Sequence, residues 1–334
     1  MRYKRRVERV RIFELERGED LLGAMKRDAR AGLSRAPRSI PPKYFYDEAG
    51  SLLFDAICEL PEYYLTRSER ALLARYADSI VDEARAGSIV EIGSGMARKT
   101  GLLVNALCAR ASDPMYVPFD IAREALEASA RDLLPCDARL RVHGVVGDFT
   151  CDLPRLARAL PASAGPRLFA FLGSTIGNLD EVGAPAFLLD LRALMTSEDR
   201  FLLGVDLVKD ERALHAAYND ASGVTAAFNK NVLRVVSREL GGGVDVDAFD
   251  HLAFYDAARE RIEMHLVSTR RQRFTLEAIA LDVEIALGER IHTEISRKFT
   301  RASVERALGQ GGMAIERWLT DDEGMFALAV ARPA

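Results

Sequence analysis

Apolar runs alternate with amphipathic segments along the middle of the chain, and this alternation predicts its fold. The predicted strands cover residues 88–92, 115–119, 140–146, 167–172 and 200–205, and the predicted helices between them cover 99–107, 122–134 and 184–195. Repeated β-α alternation predicts an α/β fold with a mostly parallel, doubly wound sheet. In such sheets ligands bind at the carboxyl ends of the strands.

Residues 207–298 interrupt the alternation. A helical segment containing residues 228–231 is followed by a glycine-rich turn and by two β-like stretches, 261–267 and 289–298. Helices and strands without βαβ order predict an inserted α+β lobe.

Two helix starts can be read from capping residues. Thr66 and Glu69 have the spacing of a capping box, so we expect the helix that leads to the first strand to begin there. Thr300 or Ser303 caps a later helix. The chain closes with a predicted antiparallel hairpin, residues 313–319 and 325–331.

Composition and charge are those of a globular protein. Of the 334 residues, 49% are hydrophobic and 29% are charged, and no apolar run approaches the ~18 residues of a membrane span. The net charge of −4 gives no general attraction to nucleic acid or anionic lipid. We expect a monomeric, cytoplasmic protein with no nucleic-acid or membrane partner and with a basic, solvated arm over residues 1–14.

The spacing of cysteines and histidines predicts no metal. The four cysteines lie far apart without a C-x-x-C pair, and the five histidines form neither H-x-H nor H-x-x-x-H. We therefore expect no disulfide framework and no metal ligands.

The first predicted strand runs into a glycine turn, Gly93-Ser94-Gly95, and then into a helix. Glycines let the backbone approach a ligand, and a helix start offers unpaired N–H groups. A cofactor that carries a nucleoside fits there, although an ordinary tight turn has the same pattern.

Acidic residues follow the next two strands. Asp120 lies where a ribose diol would be held, because a carboxylate accepts two hydroxyl hydrogens well. Asp148 could accept hydrogen bonds from an adenine amino group while Phe149 covers the base. Acids after both strands favour S-adenosylmethionine over NAD. The alternative is that both are turn or cap residues.

Two further groups of residues have competing interpretations. Tyrosines are concentrated in residues 43–64, either as half-buried packing residues or as ligand contacts. Strand alternation places Glu294 and Ser296 on one face with His292, where a carboxylate and a hydroxyl could bind a cationic or donor-bearing ring; a solvated face is the alternative. Met264 alternates with apolar neighbours, which is typical of core packing.

Several sequence blocks carry a resemblance to a known family, the L-histidine Nα-methyltransferases of ergothioneine biosynthesis. The blocks are KYFYDEAGS (43–51), LPEYYLTRSE (60–69), EIGSG (91–95), FLGSTIGNL (171–179), DLVKD (206–210), FNKNVL (228–233), IEM (262–264) and TEISRKF (293–299). They occur in the same order over roughly residues 40–332. The resemblance implies a Rossmann-like class I methyltransferase domain with an inserted substrate-binding lobe.

The resemblance also implies roles for individual residues. The cofactor contacts of the family fall on Gly93, Ser94, Gly95, Lys99, Asp120, Asp148 and Phe149. The contacts of the family with its amino-acid substrate fall on Tyr46, Tyr63, Gly173, Asn178, Tyr218, Met264, Glu294 and Ser296. Within this set, Asn178 and Tyr218 face the α-carboxylate and amine, and Tyr63, Glu294 and Ser296 face the imidazole. Tyr46 and Asn178 are the candidates for a direct part in catalysis.

The implied reaction is the transfer of three methyl groups, one after another, from S-adenosylmethionine to the α-amino group of L-histidine, which gives hercynine through mono- and dimethyl intermediates. A relative that methylates tryptophan or tyrosine is the alternative. A nicotinamide-dependent oxidoreductase would share the glycine turn and Asp120, and a silent cofactor-binding protein would share every feature.

The resemblance sets the expected domain boundaries and shows one departure. Where the family usually has small hydroxyl residues after the glycine turn, this chain has Met96 and Ala97, which puts the affinity for the cofactor in question. The predicted cofactor domain comprises residues 68–208 and 299–334, and the predicted substrate domain comprises residues 15–67 and 209–298.

Overall fold

The computed structural model describes residues 9–16, 20–95 and 99–334. Met96 and Ala97, at which the sequence departs from the family pattern, lie outside the described residues. The strands, in chain order, are β1 (Val10–Glu14), β2 (Arg38–Ser39), β3 (Ser88–Ile92), β4 (Met115–Asp120), β5 (Arg141–Val146), β6 (Arg167–Phe171), β7 (Arg200–Asp206), β8 (Phe249–Asp256), β9 (Arg261–Ser268), β10 (Gln272–Leu276), β11 (Leu281–Ile285), β12 (Arg290–Arg297), β13 (Met313–Thr320) and β14 (Phe326–Pro333).

The α-helices are α1 (Leu21–Leu33), α2 (Glu48–Glu59), α3 (Tyr64–Glu83), α4 (Gly101–Arg110), α5 (Arg123–Leu133), α6 (Leu153–Ala159), α7 (Gly183–Leu194), α8 (Glu211–Tyr218), α9 (Val224–Leu240) and α10 (Arg301–Gln310). Short 3-10 helices cover Pro42–Phe45, Leu134–Cys136, Thr175–Asn178, Val246–Ala248 and Glu277–Ile279. Among the described residues, no helix combines the length and apolar character that crossing a membrane requires.

The chain divides into two compact units. Unit 1 comprises the described parts of Met1–Glu16, Arg67–Leu207 and Phe299–Ala334. Unit 2 comprises the described parts of Arg17–Thr66 and Val208–Lys298.

Unit 1 is built on one eight-stranded sheet with the strand order β1-β5-β4-β3-β6-β7-β14-β13. The strands from β1 to β7 in this order are parallel, and β14 and β13 close the sheet as an antiparallel hairpin. All five residues of β3 are buried, as expected for a central strand with both faces covered. The doubly wound, mostly parallel α/β fold with a C-terminal antiparallel hairpin is confirmed.

Unit 2 contains a four-stranded sheet of order β2-β12-β9-β8 and a separate hairpin of β10 and β11. Helix α9 packs against β8 and β9, and α2 packs against α9. The α+β character expected for this segment is confirmed, although the sequence pattern indicated only two of its strands.

Three local expectations are wrong. Part of the expected basic arm forms β1, which pairs in parallel with β5; residues 1–8 lie outside the described residues. Glu69 does not belong to a capping box, because α3 already begins at Tyr64. His292 does not share a face with Glu294, because a β-bulge between the two residues shifts the register of β12 on β9.

Candidate active site

In unit 1 most of the predicted cofactor residues, and Gly173 of the predicted amino-acid contacts, lie at the carboxyl ends of neighbouring parallel strands. Gly93-Ser94-Gly95 follows β3, Asp120 ends β4, Asp148 and Phe149 follow β5, and Gly173 follows β6. Carboxyl ends of parallel strands lie at one edge of a sheet, so the fold brings these residues to the edge at which doubly wound proteins bind ligands.

The glycine turn is held to Asp120. Gly93 and Gly95 have φ values of +64° and +49°, a region that side chains other than glycine rarely adopt. The N–H of Gly95 donates to Oδ2 of Asp120 at 2.8 Å, and the N–H of Ala122 donates to Oδ1 at 3.0 Å. A carboxylate offers about four acceptor sites, so Asp120 retains capacity for hydroxyl hydrogens. Burial raises the pKa of Asp120, and these backbone donors oppose the rise.

Asp148 shapes the turn that follows β5. Its Oδ1 accepts hydrogen bonds from the N–H of Thr150 at 2.9 Å and from the hydroxyl of Thr150 at 2.6 Å. The Phe149 ring packs edge-on against Phe171 with centroids 5.3 Å apart. A Cβ added at Gly93 would contact both rings at 3.6 Å, so the glycine turn lies directly over this aromatic pair.

A buried carboxyl group lies beneath the glycine turn. Glu91, inside the apolar β3, accepts hydrogen bonds from Thr100 Oγ1 at 2.6 Å and from the hydroxyl of Tyr116. Burial raises the pKa of Glu91 to about 7, and both hydroxyl donors oppose this rise. Because Thr100 precedes α4 and Tyr116 belongs to β4, Glu91 ties together the strand, the turn and the helix start.

Lys99 is positioned by Glu69, a residue whose sequence spacing predicts a helix cap. Glu69 is fully buried; its Oε2 pairs with Lys99 Nζ, and its Oε1 accepts the N–H of Gly173 at 2.7 Å. A Cβ at Gly204 would lie 2.2 Å from Oε1, so only glycine leaves room for this carboxylate. Glu69 therefore links two predicted site residues, Lys99 and Gly173.

Asn178 ends the short 3-10 helix Thr175–Asn178 that follows β6. Ser174, just before this helix, has a left-handed conformation with φ of +57° and accepts the N–H of Asp206 at its Oγ, 2.9 Å away. Asn178 lies on this loop, and the hydrogen bond attaches the loop to the end of β7.

In unit 2 the predicted tyrosines lie in an aromatic cluster. The Tyr46 ring contacts Phe54 and Phe228 with centroid distances of 5.7 and 5.6 Å, and Tyr63 contacts Phe54 at 6.4 Å and Tyr218 at 6.3 Å. Burial raises the pKa of Tyr63 well above its ordinary value of 10.0, with smaller contributions from Tyr218 and other neighbours. The Tyr63 hydroxyl therefore stays protonated at neutral pH and can donate a hydrogen bond.

Tyr218 and Ser296 are joined by a buried cation. The Tyr218 hydroxyl donates to Ser296 Oγ at 2.8 Å, and Lys298 Nζ donates to Tyr218 at 3.0 Å and to Ser296 at 2.9 Å. Lys298 is only 2% exposed, so its charge acts with little screening by water.

Glu294 lies directly opposite Met264 in the pairing of β12 with β9, and Ser296 lies opposite Ile262. Paired residues share a face, so Glu294, Ser296 and Met264 project from the same side of the sheet. Burial raises the pKa of Glu294 to about 7, and the Lys298 charge opposes this rise. A buried carboxyl group that ionises near neutrality is well suited to an imidazole, whose pKa is also near neutrality.

Sequence patterns predict no role for Glu91 and Lys298, and for Glu69 they predict only that of a helix cap. Glu91 and Lys298 are charged residues in or beside apolar strands, and that is the one sequence signal that could have identified them. Glu69 had no such signal, because its partners Lys99 and Gly173 are distant in the chain.

Comparisons with known proteins agree over nearly the whole chain. A family model described as "Histidine-specific methyltransferase, SAM-dependent" matches residues 25–333. "Histidine N-alpha-methyltransferase" of Mycobacterium tuberculosis (strain CDC 1551 / Oshkosh) is 44% identical over 308 residues, which cover 92% of this chain and 94% of that protein. The protein of the same name from Mycolicibacterium smegmatis (strain ATCC 700084 / mc(2)155) is 42% identical over 308 residues, with the same coverage of 92% and 94%. "Ergothioneine biosynthesis protein 1" of Neurospora crassa is 30% identical over 303 residues, 89% of this chain and 34% of that protein.

Proposed function

The chain belongs to the family of histidine-specific, S-adenosylmethionine-dependent methyltransferases, and we propose that it converts L-histidine to hercynine by three successive methyl transfers to the α-amino group. The family match confirms the resemblance indicated by the sequence blocks, and it does not favour a tryptophan- or tyrosine-directed enzyme. The observation that carries the substrate assignment is the buried polar set of unit 2, in which Glu294 and Ser296 share one sheet face.

The residues at the sheet edge of unit 1 fit the cofactor. Asp120 retains acceptor capacity for the ribose hydroxyls, and a Cβ at Gly95 would meet no atom of the described residues within 4 Å. Asp148 and Phe149 would hold the adenine, and Lys99, with its position fixed by Glu69, would contribute a positive charge. When bound, S-adenosylmethionine supplies the activated methyl group.

The polar residues of unit 2 would bind the amino acid. Glu294 accepts the imidazole N–H as a carboxylate, and the Ser296 hydroxyl, oriented by Tyr218 and Lys298, meets the other side of the ring. Met264, which pairs with Glu294 across the two strands and lies on the same face, provides apolar contact for the ring. The contacts expected of Asn178 and of Tyr218 with the α-carboxylate and amine end of the substrate stay predictions.

Methyl transfer to an amine requires the neutral amine in line with the methyl group, so the protein contributes mainly by orientation and by excluding water. The protonated Tyr63 is a hydrogen-bond donor rather than a base. We assign Tyr46, or in its place a bound water molecule, as the acceptor of hydrogen bonds from the amine. Unchanged rates of all three methylation steps in Tyr46→Phe would exclude this role.

Product analysis tests the proposed reaction. Purified protein is incubated with S-adenosylmethionine and, separately, with histidine, tryptophan and tyrosine, and the products are followed by mass spectrometry. Histidine should gain one, two and then three methyl groups, and an incubation without S-adenosylmethionine is the control. Methylation of tryptophan or tyrosine in preference to histidine would refute the substrate assignment.

The remaining expectations concern the setting of the enzyme. The place of the reaction as the first step of ergothioneine biosynthesis, the cytoplasmic location and the monomeric state stay predictions. Size-exclusion chromatography with light scattering tests the monomeric state.

A further inference from the structure

A cluster of potential metal ligands in unit 2 takes no part in the proposed reaction. It joins Glu263 and His265 of β9 to His292 of β12, and one ligand atom from each residue lies within 4.8 Å of the other two. We propose that these three side chains bind one divalent transition-metal ion of the zinc type.

The backbone places the ligands together. His292 pairs directly with His265 in the antiparallel register, and residues paired in this way share a face of the sheet. Glu263 is two residues from His265 and therefore shares that face as well. The cluster rests on strand pairing and not on flexible loops.

The β-bulge of β12 turns His292 toward this cluster. Without the bulge, strand alternation would put His292 on the face of Glu294. The extra residue is Thr293, which is anchored because its Oγ1 donates to Asn229 Oδ1 at 2.7 Å and to the Met264 carbonyl at 3.0 Å. Bulges often re-aim a side chain in this way.

The cluster contains a ring nitrogen that the protein does not satisfy. Among the residues that the structure describes, Nε2 of His292 is buried and has no hydrogen-bond partner. An unmet buried polar group is costly, and an ion or a water molecule is the usual partner. The lone pair of an imidazole nitrogen is a common zinc ligand.

Neighbouring side chains fix the ligands. Arg261 donates two hydrogen bonds to Oε1 of Glu263, at 3.0 and 2.6 Å, which leaves Oε2 facing His265 Nε2 at 3.1 Å. Phe254 stacks on the His265 ring with centroids 5.5 Å apart and an angle of 6° between the planes. Nη1 of Arg259 lies 3.7 Å from Oε1 of Glu263. The positive charges of Arg259 and Arg261 weaken the attraction of the Glu263 carboxylate for a cation.

The ligand set matches zinc with an open position. One carboxylate and two imidazoles leave a fourth place for water. With metal–ligand bonds of about 2.1 Å, ligand atoms on tetrahedral zinc lie about 3.4 Å apart. Small side-chain rotations therefore suffice from the present separations, all of which are within 4.8 Å. The bound ion would link β9 to β12 beside the bulge and raise the stability of unit 2.

Zinc titration of tag-free protein, treated with EDTA and desalted, tests the proposal by calorimetry. We expect one Zn²⁺ per chain and a raised thermal midpoint. His292→Ala and Glu263→Gln should each weaken binding by about tenfold or more, since each loses a ligand. His215→Ala, which removes an exposed histidine of α8, is the matched control and should bind zinc as the wild type does.

A second measurement uses the wild-type protein and so does not depend on folding of the variants. NMR spectra of the histidine ring nitrogens, recorded with and without Zn²⁺, report on each ring separately. Zn²⁺ should shift the ring-nitrogen signals of His265 and His292 and leave those of His215 unchanged. Unshifted signals of His265 and His292, or unchanged zinc affinity in a folded His292→Ala, would overturn the proposal; neither result would bear on methyl transfer.

Discussion

Replacing Glu294 by glutamine should change how the stability of the protein depends on pH. Glu294 is 8% exposed, and burial raises the pKa of its carboxyl group from 4.5 to about 7 although Lys298 opposes the rise. Glutamine has nearly the same shape and cannot ionise. The substitution therefore removes the titration while it preserves the packing.

The sign follows from the raised pKa. Between pH 4.5 and about 7 the unfolded chain ionises at this position while the folded protein keeps its proton, so wild-type stability falls as pH rises. The shift corresponds to roughly 3 kcal/mol at about 1.4 kcal/mol per pKa unit. The Glu294→Gln variant should gain up to about 3 kcal/mol relative to wild type between pH 4.5 and 8, and this gain should develop within that window.

Urea denaturation at several pH values, without substrate, measures this difference. Glu284→Gln is the control, because it makes the same change of side chain at a position of β11 that is 55% exposed. A constant difference in the free energy of unfolding between wild type and Glu294→Gln from pH 4.5 to 8 would refute the assignment of a buried carboxyl group with a raised pKa.

Four other substitutions test the site. Glu294→Ala should weaken histidine binding by roughly 1–3 kcal/mol, about 5- to 150-fold in Kd by calorimetry, because the imidazole loses its acceptor; undiminished affinity contradicts this role. Lys298→Met should raise the pKa of Glu294 further, so the pH profile of histidine affinity should move to higher pH, and an unmoved profile would exclude the coupling. Asp120→Asn should weaken binding of S-adenosylhomocysteine by about tenfold. Unchanged affinity would show that this carboxylate only holds the glycine turn. Glu69→Gln removes the charge that faces Lys99 and should lower the free energy of unfolding, measured by urea denaturation, by roughly 1–3 kcal/mol. If the variant were as stable as the wild type, the ion pair would contribute little to stability.

Local patterns in the sequence were sufficient for much of unit 1. The predicted strand over 88–92 coincides with β3, and the strand expected to end at Asp120 is β4. Thr300 caps α10 with the help of Ser303, as the capping pattern indicated. These features depend on residues that are neighbours in the chain, where hydrophobic periodicity and capping chemistry are decided.

Features that depend on distant partners were not predictable in this way. Strand β1 is short and charged, and it is a strand only because β5 offers an edge to pair with. Thr66 and Glu69 fit a capping box, but Glu69 lies inside α3 and pairs with Lys99, 30 residues away. The local pattern was present, but a tertiary contact decided what the side chain does.

By itself, the sequence determined the order of strands and helices around the glycine turn, the acids at the strand ends and, through its motifs, the family. Only the tertiary structure decided that the bulge turns His292 away from Glu294 and toward His265, and that burial raises the pKa of Glu294 to about 7. The physical reason is that periodicity is set by neighbours in the chain. Strand register, burial and the charges around a side chain are set by residues that only folding brings together.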